Sequence, residues 1–135
     1  MTSTTVLAIP IRSMNFEGFL DFLHDRDTGA STLSPKRFSE ALSIDIQTLA
    51  QQAHVHRNTI SRAPASESVQ RFLREVLRVL RAAIDLSGDM GRAIFWYRNE
   101  PLATFGYKTA EQLVTEGRTE DLLRYMASLE AGAAG

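Results

Sequence analysis

Within seven residues, from position 56 to position 62, the chain places His56, Arg57, Asn58, Ser61 and Arg62, with no acid among them. If Val55 and Ile60 turn inward on a helix, these five polar side chains share its outward face. An arginine can donate two bonds to a guanine edge and an asparagine can pair with adenine. Serine and histidine can hold phosphates or base edges. The spacing predicts a DNA-reading surface; the plainer alternative is a helical hairpin whose polar face is only solvated. Other chemistries find no support. His54 and His56 lack a third ligand at metal-binding spacing, and a turn location explains them more simply. Gly88-Asp89-Met90-Gly91 is too sparse for a phosphate loop. No nucleophile sits in an acid–base arrangement, and the absence of cysteine removes thiolate chemistry and disulfides. No catalytic residue, metal or cofactor is expected.

The elements that must position this surface are helical. Asp45 through Arg62 has helix-turn-helix spacing, with helices expected over Ile46–Ala53 and 56–63, the second stopped by Pro64. Ala50 is the small residue where two such helices cross, and Leu49, Ala53, Val55, Ile60 and Ala63 are the expected anchors. His54 stands at the turn position that adopts a left-handed conformation, where histidine is one of the enriched non-glycine residues. Upstream, Asn15 can cap a short helix carrying Phe16, Phe19, Leu20 and Leu23 on one face. Residues 1–14 read as an arm and residues 25–32 as a loop. Ser34-Pro35 reads as N-cap and first-turn proline of a helix through Leu42.

Downstream, Ser66 is the expected cap of a long spine helix. Val69, Phe72, Leu73, Val76, Leu77, Leu80, Ala83 and Ile84 lie on one side of it, and Arg71, Arg74, Arg78 and Arg81 on another. A helix over 90–97 follows. Thr109 with Gln112 forms a capping box for a helix ending near Gly117. Thr119 is read as the cap of a last helix over 120–131, with Gly132 at its C′ position. The fold class is all-α. Residues 1–33 form an arm and short helix of open role, 34–64 the helix-turn-helix region, and 65–135 the spine helix with a small C-terminal domain.

The 135 residues fit one compact domain or a small domain with an appendage, and a 44% apolar share is enough for a core. The opening segment lacks the charged start and cleavage site of a secretory signal, and no apolar run approaches membrane-spanning length; a cytoplasmic location is expected. A net charge of −1 argues against an indiscriminate nucleic-acid binder. Its distribution says more: residues 36–98 carry ten Lys/Arg against six Asp/Glu, while both flanks are acidic. A basic middle between acidic ends suggests one segment for DNA and another for a different partner.

The C-terminal third carries a resemblance. Trp96, Pro101, Phe105, Gly106, Leu113, Gly117, Leu123, Leu129 and Gly132 follow the order and spacing of the toxin-binding domain of Xre/MbcA/ParS-type antitoxins. The resemblance extends over residues 45–132, because that family carries a helix-turn-helix before this domain. Ala110 stands where many members have proline, and Tyr107 where a second glycine is frequent.

The resemblance implies the antitoxin of a type II toxin–antitoxin pair. It would cover the active-site entrance of a RES-domain toxin, an NAD-consuming enzyme, and repress its own operon through operator DNA. Toxin contact is expected at Arg124, Tyr125, Ser128, Leu129, Gly132 and Gly135, with Trp96 in the core. A homodimer is expected, since helix-turn-helix proteins usually read paired half-sites. Two alternatives stand: a stand-alone helix-turn-helix regulator whose C-terminal domain only dimerises, and a protein-binding adaptor that has lost DNA.

Overall fold

The computed structural model describes residues 14–24 and 31–134, with side chains through Gly132. Residues 1–13 of the arm expected over 1–14, most of the expected loop and Gly135 lie outside the described residues. The chain is all-α. The described residues form α1 (Phe16–Leu23), α2 (Pro35–Leu42), α3 (Ile46–Ala53), α4 (Arg57–Arg62), α5 (Glu67–Ser87), α6 (Met90–Asn99), α7 (Ala110–Thr115) and α8 (Thr119–Ala134). A 3-10 turn spans Ala103–Phe105. Among the described residues two isolated bridges, His24 with Leu33 and Leu102 with Lys108, stand in place of strands.

Local chemistry sets most of the helix starts. The Asn15 side chain accepts from the Gly18 amide at 2.7 Å, and Ser34 Oγ from the Arg37 amide at 3.2 Å ahead of Pro35. Asp45 accepts from Thr48 at 2.7 Å and Asp89 from Arg92 at 2.7 Å. At α7 the capping box is complete: Thr109 Oγ1 accepts from the Gln112 amide while Gln112 accepts from the Thr109 amide. Each cap satisfies amides that the first helical turn leaves without a partner, for about 1 kcal/mol apiece.

The 21-residue α5 is the spine. α6 and α8 pack along it, α7 joins both, and α2 and α3 close against it from the N-terminal side. Its buried face holds the predicted Val69, Phe72, Leu73, Val76, Leu77, Leu80 and Ala83, with Val79 and Gln70 in addition. Gln70 is the unexpected member. Its amide nitrogen donates to the carbonyls of Leu33 and Pro64, each at 2.8 Å, and its oxygen accepts from the Leu33 amide at 2.9 Å. A buried side chain with three such bonds ties the entry to α2 and the exit from α4 onto the spine.

Several expectations are corrected. Ser66 precedes α5 in extended backbone but makes no cap bond, and its buried hydroxyl has no partner among the described residues. Nothing in the structure explains that. Ala63 is exposed rather than an anchor. Trp96 is half-buried at the edge of the core, while its neighbour Tyr97, on the inward side of α6, is 1% exposed. α6 runs two residues further than expected, to Asn99. α8 begins at Thr119 itself, and the Arg118 carbonyl, one residue earlier, accepts from the Leu122 amide. Gly132 does not end α8, which continues to Ala134. A single glycine weakens a helix by about 1 kcal/mol, and the alanines around it are the strongest helix formers, so the turn persists.

Candidate nucleic-acid and partner surfaces

α3 ends at His54, which takes φ 59° and ψ 41°, the left-handed conformation expected of it. Two residues later His56 opens α4. Leu49 and Ala50 are buried beneath α3 and Ile60 beneath α4, while Ala53 and Val55 are half-buried. α4 takes its main packing from α3.

His56, Arg57, Asn58, Ser61 and Arg62 are all exposed. None of the five side chains makes a hydrogen bond or ion pair among the described residues. The Asp45 carboxyl is held below its ordinary value chiefly by hydrogen bonds from the Thr48 backbone and side chain, with a lesser contribution from the Arg57 charge. A groove of about 630 Å³ borders the same helix, lined by Lys36, Arg37, Glu40, Ile60 and Ser61 among others; the Arg37 guanidinium donates to the Phe22 and His24 carbonyls and lies over the Phe22 ring.

The spine arginines are otherwise occupied. Arg74 pairs with Glu67 at 3.1 Å and Arg78 with Glu120 at 2.7 Å. Arg81 sits 4.9 Å over the Phe16 ring. Of the four, Arg71 alone makes no such contact among the described residues.

The second predicted set lies on α8. Arg124, Tyr125, Ser128, Leu129 and Gly132 fall within one arc of the helix, as 3.6 residues per turn requires. Leu122 and Met126 turn to the core, at 0% and 2% exposure. Arg124 is exposed and pairs with Asp121 at 2.7 Å. Tyr125 lays its ring edge-on to Phe105, and Ser128 Oγ donates to the Tyr125 carbonyl at 2.6 Å. From Ala127 through Gly132 every side chain is exposed, Leu129 at 42%. Gly135 lies outside the described residues.

Sequence reasoning missed the groups that join the two regions. Arg98 donates from one terminal nitrogen to the Leu42 carbonyl at 2.8 Å, and from Nε to Glu111 at 3.3 Å. Glu111 also accepts from Gln52 Nε2 at 2.9 Å. His54 Nε2 donates to the Thr115 carbonyl at 2.7 Å. Gln52 and Glu111 are 59 residues apart, and no local pattern signals such a pairing. Tyr107, at the position where the resemblance has a second glycine, holds φ 68° and is 71% exposed, in a turn where Gly106 is left-handed too.

Among the described residues no group of His, Cys, Asp or Glu is placed to hold a metal ion, and no helix is long and apolar enough to cross a membrane. No protein-family model, curated protein or solved structure matches this chain.

Proposed function

We propose that the chain is the antitoxin of a type II toxin–antitoxin pair. In this reading α3 and α4 form a helix-turn-helix that binds operator DNA, and α8 binds an NAD-consuming RES-domain toxin over its active site. The observation that carries the reading is a pair of separate exposed surfaces, one at α4 and one on the later turns of α8. α4 and its cap residue His56 offer five exposed side chains with unused donors and acceptors. From Ala127 through Gly132 the residues of α8 are exposed. A helical segment exposed in this way adds little to the core, and an exposed Leu129 flanked by Tyr125 suits an apolar anchor in a partner's pocket.

For α4, bidentate contacts from Arg57, Arg62 and Asn58 to base edges would give sequence preference, and the exposed Lys36 would add phosphate attraction. A dimer presenting two copies of α4 to successive major grooves completes the proposal.

The test is co-expression of the chain with the product of the neighbouring open reading frame, followed by size exclusion and a gel shift on the shared upstream duplex. The proposal expects a stable complex and binding that weakens steeply with salt. DNA binding without any complex would leave a stand-alone regulator. A complex without DNA binding would leave an adaptor.

A further inference from the structure

We infer that Glu111 is a positioning residue for the DNA-reading helix, acting through Gln52, Arg98 and the His54 turn. The inference rests on the DNA-binding reading above and assigns the C-terminal segment a part in it. α4 takes its main packing from α3, so whatever fixes the end of α3 fixes the reading face. That end is held at two points by one helix, α7. Glu111, only 12% exposed at its side chain, accepts from Gln52 Nε2 at 2.9 Å and pairs with Arg98 at 3.3 Å. Arg98 in turn donates to the carbonyls of Leu42 and Ser43 at 2.8 and 3.4 Å, where α2 ends in a left-handed turn. One helical turn on, the Thr115 carbonyl accepts from His54 at 2.7 Å, and the Thr115 hydroxyl bonds back to the Glu111 carbonyl. The ends of α2 and α3 are therefore pinned to α6 and α7 by directional bonds.

The apolar contacts under α4 do not need these bonds. Leu49, Ala50 and Ile60 remain buried without them, so their loss leaves the segment folded while freeing its angle. Base-edge hydrogen bonds tolerate only a few tenths of an ångström. Phosphate attraction by long arginines tolerates far more. Displacement of α4 therefore lowers sequence preference and spares non-specific affinity.

The experiment uses the full chain and two duplexes, one from the region upstream of its own gene and one of unrelated sequence. Glu111→Ala is expected to weaken binding to the first by about tenfold, the loss of one well-placed base contact, and to leave binding to the second unchanged. Glu111→Gln keeps an oxygen for the Gln52 amide and is expected to recover most of the loss. Amide hydrogen exchange read on the same variants should quicken over residues 54–62 in Glu111→Ala, with residues 67–87 as protected as before. Equal loss on both duplexes, or undisturbed affinity and exchange in Glu111→Ala, overturns the inference. If the unmodified chain shows no preference for its upstream duplex, the DNA reading fails; the exchange result then decides separately whether α7 holds the turn.

Discussion

The rings of Phe105 and Tyr125 meet edge to face with centroids 5.5 Å apart and planes at 84°. Arg118 stands 5.2 Å from the centre of the Phe105 ring. One residue of the 3-10 turn thus touches both the residue before α8 and the middle of that helix. This fixes the direction in which the exposed end of that helix leaves the core. Aromatic pairs of this geometry contribute about 0.5–1.5 kcal/mol beyond the area they bury. Phe105→Ala should lower unfolding free energy by about 2–3 kcal/mol, allowing for a half-buried ring. Urea denaturation checks this, with Phe105→Leu expected to lose less.

Gln70 offers a sharper test of the core. Leucine at this position would keep the volume but strand the Leu33 amide, the Leu33 carbonyl and the Pro64 carbonyl. Stranded buried polar groups cost about 1–3 kcal/mol each before relaxation. Gln70→Leu is therefore expected to destabilise by about 2–4 kcal/mol, despite placing an apolar residue in an apolar helix face. Denaturation matching the unmodified chain would show that Gln70 is dispensable.

Arg57→Ala and Arg62→Ala should each weaken binding to the upstream duplex by about 1–3 kcal/mol if they read bases. A phosphate role would instead lower the salt slope by about one for each residue and reduce affinity on every sequence alike. Both side chains are exposed, so thermal stability should not move. Affinity measured at several salt concentrations separates the roles.

Two carboxylates tie stability to acid. Hydrogen bonds from Thr48 hold Asp45 below its ordinary 3.8, and the Arg78 hydrogen bond and charge hold Glu120 below its ordinary 4.5. A group whose folded value is depressed stabilises the fold above its unfolded value, and that contribution fades as pH falls through the folded value. Stability should therefore decline from about pH 5 downward. The decline should be shallower in the double variant Asp45→Asn with Glu120→Gln, as thermal melts across that range would record.

The elements were legible where the deciding interaction is local. Ser34-Pro35, the Thr109–Gln112 box and the left-handed His54 all depend on partners within a few residues, and each stands where the pattern puts it. The apolar face of α5 was legible for the same reason. What escaped is long-range or contingent. Gln70 looks like a polar interruption until Leu33, 37 residues away, is brought against it. Arg98 and Glu111 look like solvated charges until Leu42 and Gln52 arrive. Tyr97 sits beside exposed Phe95 and half-buried Trp96 in the sequence, yet its ring is on the inward side of α6, and burial together with the nearby Glu111 charge pushes its hydroxyl well up. Gly132 was read as a stop because glycine often ends helices, although α8 continues through it to Ala134.

α8 divides into a part that holds the core and a part that does not. A chain ending at Gly117 would lose Leu122 and Met126 and with them core packing. A chain ending at Ala127 keeps Leu122 and Met126 and removes residues 128–132, which are exposed, together with 133–135. Leu129→Asp is the milder counterpart. At 42% exposure it should change stability by no more than about 0.5 kcal/mol while abolishing capture of the neighbouring gene product.

The most direct measurement is cellular NAD when the neighbouring gene product is expressed with the full chain or with the chain ending at Ala127. The account predicts that the full chain preserves NAD, and that the shortened chain, still folded and still able to bind the upstream duplex, lets it fall. Equal protection by both chains would remove the turns of α8 after Ala127 as the toxin-binding element. NAD loss in the presence of the full chain would contradict the antitoxin assignment itself.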